Sequence, residues 1–260
     1  MTIPVSLEHI ETYLLIFIRA GAILFATPIF GSRDLPVMAK IGLALTIAWC
    51  VYPTVAVPPQ LGSGTMFVLV PAMVAEILVG IAIGFTARIF FEAVQIGGQL
   101  AGFQMGFGIV NVLDPVTGEN FSVIAQLQNL FAIMLFLGLN LHHWFFKAIA
   151  LSYQQIPLLE CRLSAPLVSN IATLSGSMFS IAIKLAAPVI AVLLLCDCAM
   201  GILNRAAPQM HIFILSFPLK IAAGLFMVGL TLPMFCFVLQ KAFGNLGPYI
   251  AHLMRLGKAL

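Results

Sequence analysis

Six stretches of this chain are apolar for long enough to cross a lipid bilayer, and they leave little sequence for anything else. They run over residues 10–30, 41–57, 66–88, 121–139, 167–199 and 212–240. A helix needs about 17–25 apolar residues to traverse the hydrocarbon layer. Breaker residues separate the runs: Pro28 and Gly31, then Pro53, Pro58, Pro59, Gly62 and Gly64, then Asp114-Pro115 with Gly118, then Pro157, then Pro208. In an apolar medium a helix satisfies its own backbone, and no run alternates with the two-residue period of a barrel strand. The spacing predicts an all-α, membrane-type helical bundle of about six long apolar helices, treated as one domain over residues 1–260.

Composition narrows the partners. Hydrophobic residues make up 62% of the chain and charged residues 8%, against about 25% charged in an ordinary soluble domain. Twelve Lys and Arg against nine Asp and Glu are too few and too scattered to coat a phosphate backbone, which excludes nucleic-acid binding. The surroundings of such a chain are lipid or other apolar protein. The cysteines, at 50, 161, 196, 198 and 236, are odd in number and lie within or beside apolar runs. They read as small buried hydrophobes, with no disulfide framework. Glu8 and Glu11 precede the first run, and no Lys or Arg comes before Arg19. The N-terminus is therefore expected to be retained and not cleaved as a secretory signal.

Charge and proline disturb a plain six-span arrangement. Arg19, Glu76, Lys184, Asp197 and Lys220 lie in or near apolar stretches, where lipid contact would cost about 2.5–3.5 kcal/mol each at mid-bilayer. They are expected to pair across helices or subunits, or to line a water path. Counting Lys and Arg on alternate sides of six spans places five (Lys147, Arg162, Lys241, Arg255, Lys258) against four (Arg33, Lys40, Arg88, Arg205), so the positive-inside rule orients nothing. Pro71, Pro188, Pro218 and Pro233 fall inside long runs and free backbone carbonyls that need neighbours. A kinked, tightly packed assembly is the expectation.

The richest segment lies between the third and fourth runs. Gly98, Gly102 and Gly106 recur every four residues, as do Gly80 and Gly84. Each set lines one helical face and lets another backbone come close. After Gly106 the helical pattern loosens into Phe107-Gly-Ile-Val-Asn-Val-Leu113, closed by Asp114-Pro115 and Gly118. Apolar, irregular backbone must lie inside protein or line a cavity. Two structures fit: a tight helix pair with a connecting loop, or a pore constriction in which Gln99, Gln104, Met105 and Phe107 face the lumen or its rim.

Catalytic chemistry is not expected. His142-His143 has no carboxylate at metalloprotease spacing, and adjacent helical residues point about 100° apart, which makes a poor chelate. Beside Trp144 they suit an apolar–water boundary. Cys196-Asp197-Cys198 lacks a second ligand pair. There is no nucleophile elbow, phosphate loop or dinucleotide fingerprint, so no enzyme, metal or cofactor is predicted. Arg88 and Glu92, four apart, suit pairing along one helix.

A family resemblance rests on residues spread nearly end to end. They are Arg19-Ala-Gly21 leading to Thr27-Pro-Ile-Phe-Gly31, Pro36 with Lys40-Ile-Gly-Leu-Ala-Leu45, and Glu76 through Phe85. Further along come Gly102-Phe-Gln-Met-Gly106 with Asp114-Pro115, Ala187-Pro188, Leu203-Asn-Arg-Ala-Ala-Pro-Gln209 and Phe217-Pro-Leu-Lys220. The chain resembles the flagellar biosynthetic protein FliR family and its counterparts, the T subunits of virulence type III secretion export gates. The resemblance implies one copy in a hetero-oligomeric, helical, cone-like gate with FliP-like and FliQ-like subunits and an FlhB-like switch subunit. It further implies a place in the flagellar basal body at the bacterial inner membrane, and passage of unfolded export substrates. It assigns a plug to a loop within residues 106–118, with Gln104, Met105, Phe107, Ile109, Val110, Val112 and Leu113 as plug or pore-lining positions. Ile109, Val110 and Val112 stand where some relatives carry aromatics. Arg19, Glu76, Lys184, Asp197, Arg205 and Lys220 become buried charges or subunit contacts. Flagellar and virulence use both stay open on sequence, with the Gln-Met-Gly and Asp-Pro pattern leaning towards the flagellar.

Two other classes remain open on sequence. A proton- or solute-coupled carrier, acting alone or as a homodimer, would use Glu76 and Asp197 as relays, although no inverted repeat is evident. For a purely structural scaffold without a channel role, trimming Phe107–Leu113 would change assembly but not leak.

Overall fold

The computed structural model describes residues 7–32, 35–58, 66–107, 122–159, 165–206 and 212–257. Among these the fold is all-α, with nine α-helices, one short 3-10 turn and no strand. The helices are α1 (Leu7–Ala26), α2 (Val37–Val51), α3 (Met66–Met105), α4 (Val123–Gly138), α5 (His142–Gln155), α6 (Ala165–Ala206), α7 (Ile212–Leu230), α8 (Leu232–Gly244) and α9 (Leu246–Gly257). The 3-10 turn, Tyr52–Thr54, follows α2.

Among the described residues four stretches are long and apolar enough to cross a membrane: Leu7–Ala26, Val37–Thr54, Leu69–Met105 and Ala165–Ala206. Two further helix pairs, α4 with α5 and α7 with the helices after it, are each interrupted by a bend and would raise the number to six. The third apolar run, expected to end near Arg88, continues as helix to Met105. Glycine lowers helix propensity by about 1 kcal/mol per residue, but here Gly97, Gly98 and Gly102 are buried against neighbouring helices. Close packing offsets their poor propensity. Pro71, Pro188 and Pro218 sit inside helices without ending them. Pro233 instead occupies the first turn of α8 just after the break at Thr231, where a missing N–H costs nothing. Helices α5 and α9 are too short to span and form no apolar run of their own.

The chain gathers into two compact units. Unit one comprises Met1–Ile89, Asn140–Ser175 and Gly244–Leu260; unit two comprises Phe90–Leu139 and Gly176–Phe243. In unit one, α1 packs on α2, and α9 packs on α5. The buried positions of α1 include Leu15, Ile16, Arg19, Ala20, Ile23 and Leu24, a repeat of threes and fours that defines one helical face. That helix stops at Thr27, whose Oγ1 donates to the Leu24 carbonyl at 2.7 Å, and Pro28 follows. Buried Leu246, Ile250, Leu253, Met254 and Gly257 likewise form one face of α9.

Unit two is organised around large side chains. Phe91, Phe136 and Phe243 meet with ring centroids 5.3–5.6 Å apart, within the range of favourable tilted and edge contacts. A second cluster joins Ala101, Met105, Ile124, Val189, Leu193 and Val228, with Phe107 packed against it. The cysteines depart from expectation. Cys50 and Cys198 are exposed, and Cys196 and Cys236 are half-buried, because they lie on helix faces that point out of this chain; Cys161 falls outside the described residues.

Candidate functional site

The deepest polar group in unit one joins α1 to α3. Arg19 Nε donates to Glu76 Oε2, and neither side chain has any exposed surface. Arg19 Nη1 also donates to the Ile156 carbonyl at 2.8 Å and reaches Ser152 Oγ at 3.5 Å. The guanidinium lies 4.4 Å from the centre of the Tyr153 ring, and the Tyr153 hydroxyl donates a hydrogen bond to the Ile16 carbonyl at 2.9 Å. One cation thus ties α1, α3, α5 and the turn after α5. Charge-assisted bonds of this kind are about twice as strong as neutral ones.

Small residues make the approach possible. A Cβ on Gly80 would stand 2.9 Å from the Arg19 carbonyl oxygen, and one on Gly84 would stand 2.9 Å from that of Ile23. The same two glycines face the Cβ atoms of Ala22 and Ala26. Residue numbers rise together along both helices, so α1 and α3 run in parallel through this contact, small residue against small residue every four positions. The Arg19–Glu76 pair lies about one turn earlier in the same seam.

The second group lies in unit two, at the end of α3. Gly97 approaches α6, where an added Cβ would meet the Ala182 carbonyl oxygen at 3.0 Å. Gly98 faces Ala125, and a Cβ on Gly102 would overlap Ser122 Oγ. Gly106, placed by its spacing on that same packing face, leaves it. Its φ is +97°, the Gly106 N–H bonds to the Phe103 carbonyl at 3.0 Å, and the Phe107 N–H bonds to the Gly102 carbonyl at 3.0 Å. This pair of bonds is a Schellman cap, which needs a left-handed residue and so favours glycine.

Around that cap the candidate lumen positions divide. Gln104 is half-buried and its Nε2 donates to Asp197 Oδ2 at 3.0 Å. Asp197 Oδ1 pairs with Lys220 Nζ. Met105, placed at the lumen or its rim by sequence, is instead fully buried, because its side chain covers Gly224 and fills the second apolar cluster. Phe107 is half-buried against that cluster, and Gln99 is half-buried. Ile109, Val110, Val112 and Leu113 lie outside the described residues.

The remaining charges sit differently. Lys184 is exposed on α6 and also borders a small cavity that Gln128, Pro188, Thr231 and Phe235 help to line. Arg205 is exposed in the last turn of α6, where a cation complements the helix dipole. Arg88 is exposed and Glu92 half-buried on α3. Sequence reasoning missed Ser152, Tyr153, Phe217 and Gly224 as partners of these groups. The spacing of Phe217, Lys220 and Gly224, by three and then four, was the available signal that one face of α7 serves one neighbour.

The sequence model of Bacterial export proteins, family 1, matches residues 10–246 of this chain, which takes in all of unit two and most of unit one. Flagellar biosynthetic protein FliR of Bacillus subtilis (strain 168) is 35% identical over 240 residues, covering 91% of this chain and 92% of the relative. FliR of Pectobacterium carotovorum subsp. carotovorum is 31% identical over 242 residues, with 92% and 90% covered. FliR of Escherichia coli (strain K12) is 31% identical over 252 residues, with 95% and 94% covered. On this near-complete match the chain belongs to the bacterial export proteins, family 1, the family of flagellar biosynthetic protein FliR.

Proposed function

We propose that this chain is an export-gate subunit of the flagellar protein secretion apparatus in the bacterial inner membrane. It packs with FliP-like and FliQ-like subunits, beside an FlhB-like subunit, around a channel for unfolded export substrates. Residues 107–114 supply the apolar plug that closes that channel. The observation that carries this function is the likeness to FliR proteins over nine-tenths of the chain, with all of unit two and most of unit one inside the family match.

The surface supports the same conclusion. Phe67, Trp49, Phe103, Ile202, Phe226 and Phe237 are all strongly exposed, and large apolar side chains left bare in such number call for lipid or protein cover. On α6, which also carries Ile202, Lys184 and Arg205 are exposed as well. Lipid alone would penalise each by about 2.5–3.5 kcal/mol at mid-bilayer, whereas a neighbouring subunit or a water-filled lumen accommodates both kinds of side chain. A carrier working alone would depend on Glu76 or Asp197 as relay, but each carboxylate is already held by a cation of its own unit.

Native mass tests the assembly. Co-expression with the FliP-like and FliQ-like subunits from the same source should give a large complex of fixed mass containing one copy of this chain; a monomer or homodimer that ignores them sinks the gate. Deleting Ile109–Val112 should leave the complex assembled and make membranes leaky to small ions. Unchanged conductance with normal assembly removes the plug.

A further inference from the structure

One face of α7 grips the end of α3. Phe217, Lys220 and Gly224 recur at three and four residues, so they lie together on that face. The Phe217 ring covers Gly106, where an added Cβ would come within 2.9 Å of its Cδ1. Met105 covers Gly224, where a Cβ would stand 2.8 Å from Sδ. Between these apolar contacts sits a polar one, in which Asp197 of α6 takes Lys220 on Oδ1 and Gln104 on Oδ2. Asp197 therefore reaches both α3 and α7, each through its own oxygen.

Exposure distinguishes this group from the other ion pair. The Arg19 and Glu76 side chains are 0% exposed, whereas those of Lys220 and Asp197 are 19% and 37% exposed. A pair at the edge of solvent is weak and can be broken without leaving a stranded buried charge, while a fully buried one cannot. The buried Arg19–Glu76 pair suits permanent structure, and the Lys220–Asp197 pair suits a contact that opens.

We propose that Asp197 is a positioning residue. With Gln104 and Lys220 it forms a latch that holds the α3 terminus, Gln104 through Phe107, against α6 and α7, and so sets the direction in which the chain leaves the helix. The latch rests on the plug function proposed above, since the residues it aims are those that lead into residues 107–114. When the latch opens, the two bonds of the Schellman cap lose their brace.

The test uses the complex assembled with the FliP-like and FliQ-like subunits, with complex yield as the control for folding. Variants are Asp197→Asn, Lys220→Met and the exchanged pair Asp197→Lys with Lys220→Asp. Gln104 can turn its amide to offer oxygen to the new lysine. Hydrogen exchange at the Gly106 and Phe107 amides should quicken about fivefold in each single variant, as local opening becomes easier, and should return towards the parent rate in the exchanged pair. Ion leak should rise in the single variants and fall again in the exchanged pair. Unchanged exchange at those amides overturns the latch. Faster exchange without leak, in a complex that does leak when Ile109–Val112 is deleted, overturns the positioning role and leaves the plug intact. If that deletion causes no leak, the plug function has failed on its own, and the exchange rates alone decide the latch.

Discussion

Arg19 and Glu76 stand 57 positions apart and pair inside unit one with no exposed surface on either side chain. The pair closes a seam in which α1 and α3 run in parallel, with Ala22 and Ala26 on one helix facing Gly80 and Gly84 on the other. A buried charge is tolerated only when paired and hydrogen-bonded. Arg19 meets that condition with Glu76, the Ile156 carbonyl, Ser152 and the face of Tyr153.

Removing one partner should therefore cost far more than removing both. Arg19→Met or Glu76→Leu alone should lower stability by about 3–5 kcal/mol, because an uncompensated charge stays buried. The double variant should lose less than the sum of the two. Thermal unfolding of the purified protein in detergent, run as a double-mutant cycle, checks this; additive losses would show that the two residues do not depend on each other.

The glycines of the seam should separate into two classes. Gly80→Leu and Gly84→Leu should reduce folded yield, because each added side chain drives into the α1 backbone and overpacking typically costs about 1–3 kcal/mol or more. Gly21→Ala should be neutral or stabilising, by up to about 1 kcal/mol, since a Cβ there meets nothing within 4 Å. Size-exclusion profiles of the three variants side by side give the comparison, and equal yields would argue against close α1–α3 contact.

Gly106 should tolerate little. Gly106→Ala forces an L side chain into φ +97° and against Phe217, a strain of about 1–2 kcal/mol before the contact is counted. Gly106→Asn should be milder than a β-branched replacement such as Gly106→Val, since asparagine enters left-handed conformations more readily. Amide exchange at Phe107, whose N–H closes the cap, should quicken in the order Asn, Ala, Val.

Phe136 is one of the largest fully buried side chains of unit two. It is fully buried, 5.6 Å from Phe91 and 5.4 Å from Phe243 between ring centres. Phe136→Ala should cost about 3–5 kcal/mol, with Phe136→Leu clearly less damaging. Denaturation midpoints in detergent distinguish these from a surface control such as Phe226→Ala, at a position 71% exposed, which should stay close to the parent protein unless partners are bound.

Much of this was legible before any coordinates. Glycine spacing marked the α3 faces at Gly80, Gly84, Gly98 and Gly102, because a four-residue repeat of small side chains is a local pattern. The same rule reaches Gly106, which continues the spacing but leaves the helix. It cannot tell the last glycine of a face from the first residue beyond a helix, since both lack a Cβ. The surroundings of Met105 are no more local: its side chain fills the gap offered by Gly224, 119 positions later.

By itself the sequence determined that the chain is all-helical, that it requires apolar surroundings, that small residues recur along α3, and that it belongs to the FliR family. These properties follow from composition, local periodicity and the order of motifs along the chain. Only the tertiary structure decided which charge meets which. Arg19 found Glu76, and Asp197 found Lys220 and Gln104. An ion pair between distant helices has no local signature: it depends on helix direction, register and rotation, and those are set by the packing of every side chain between them.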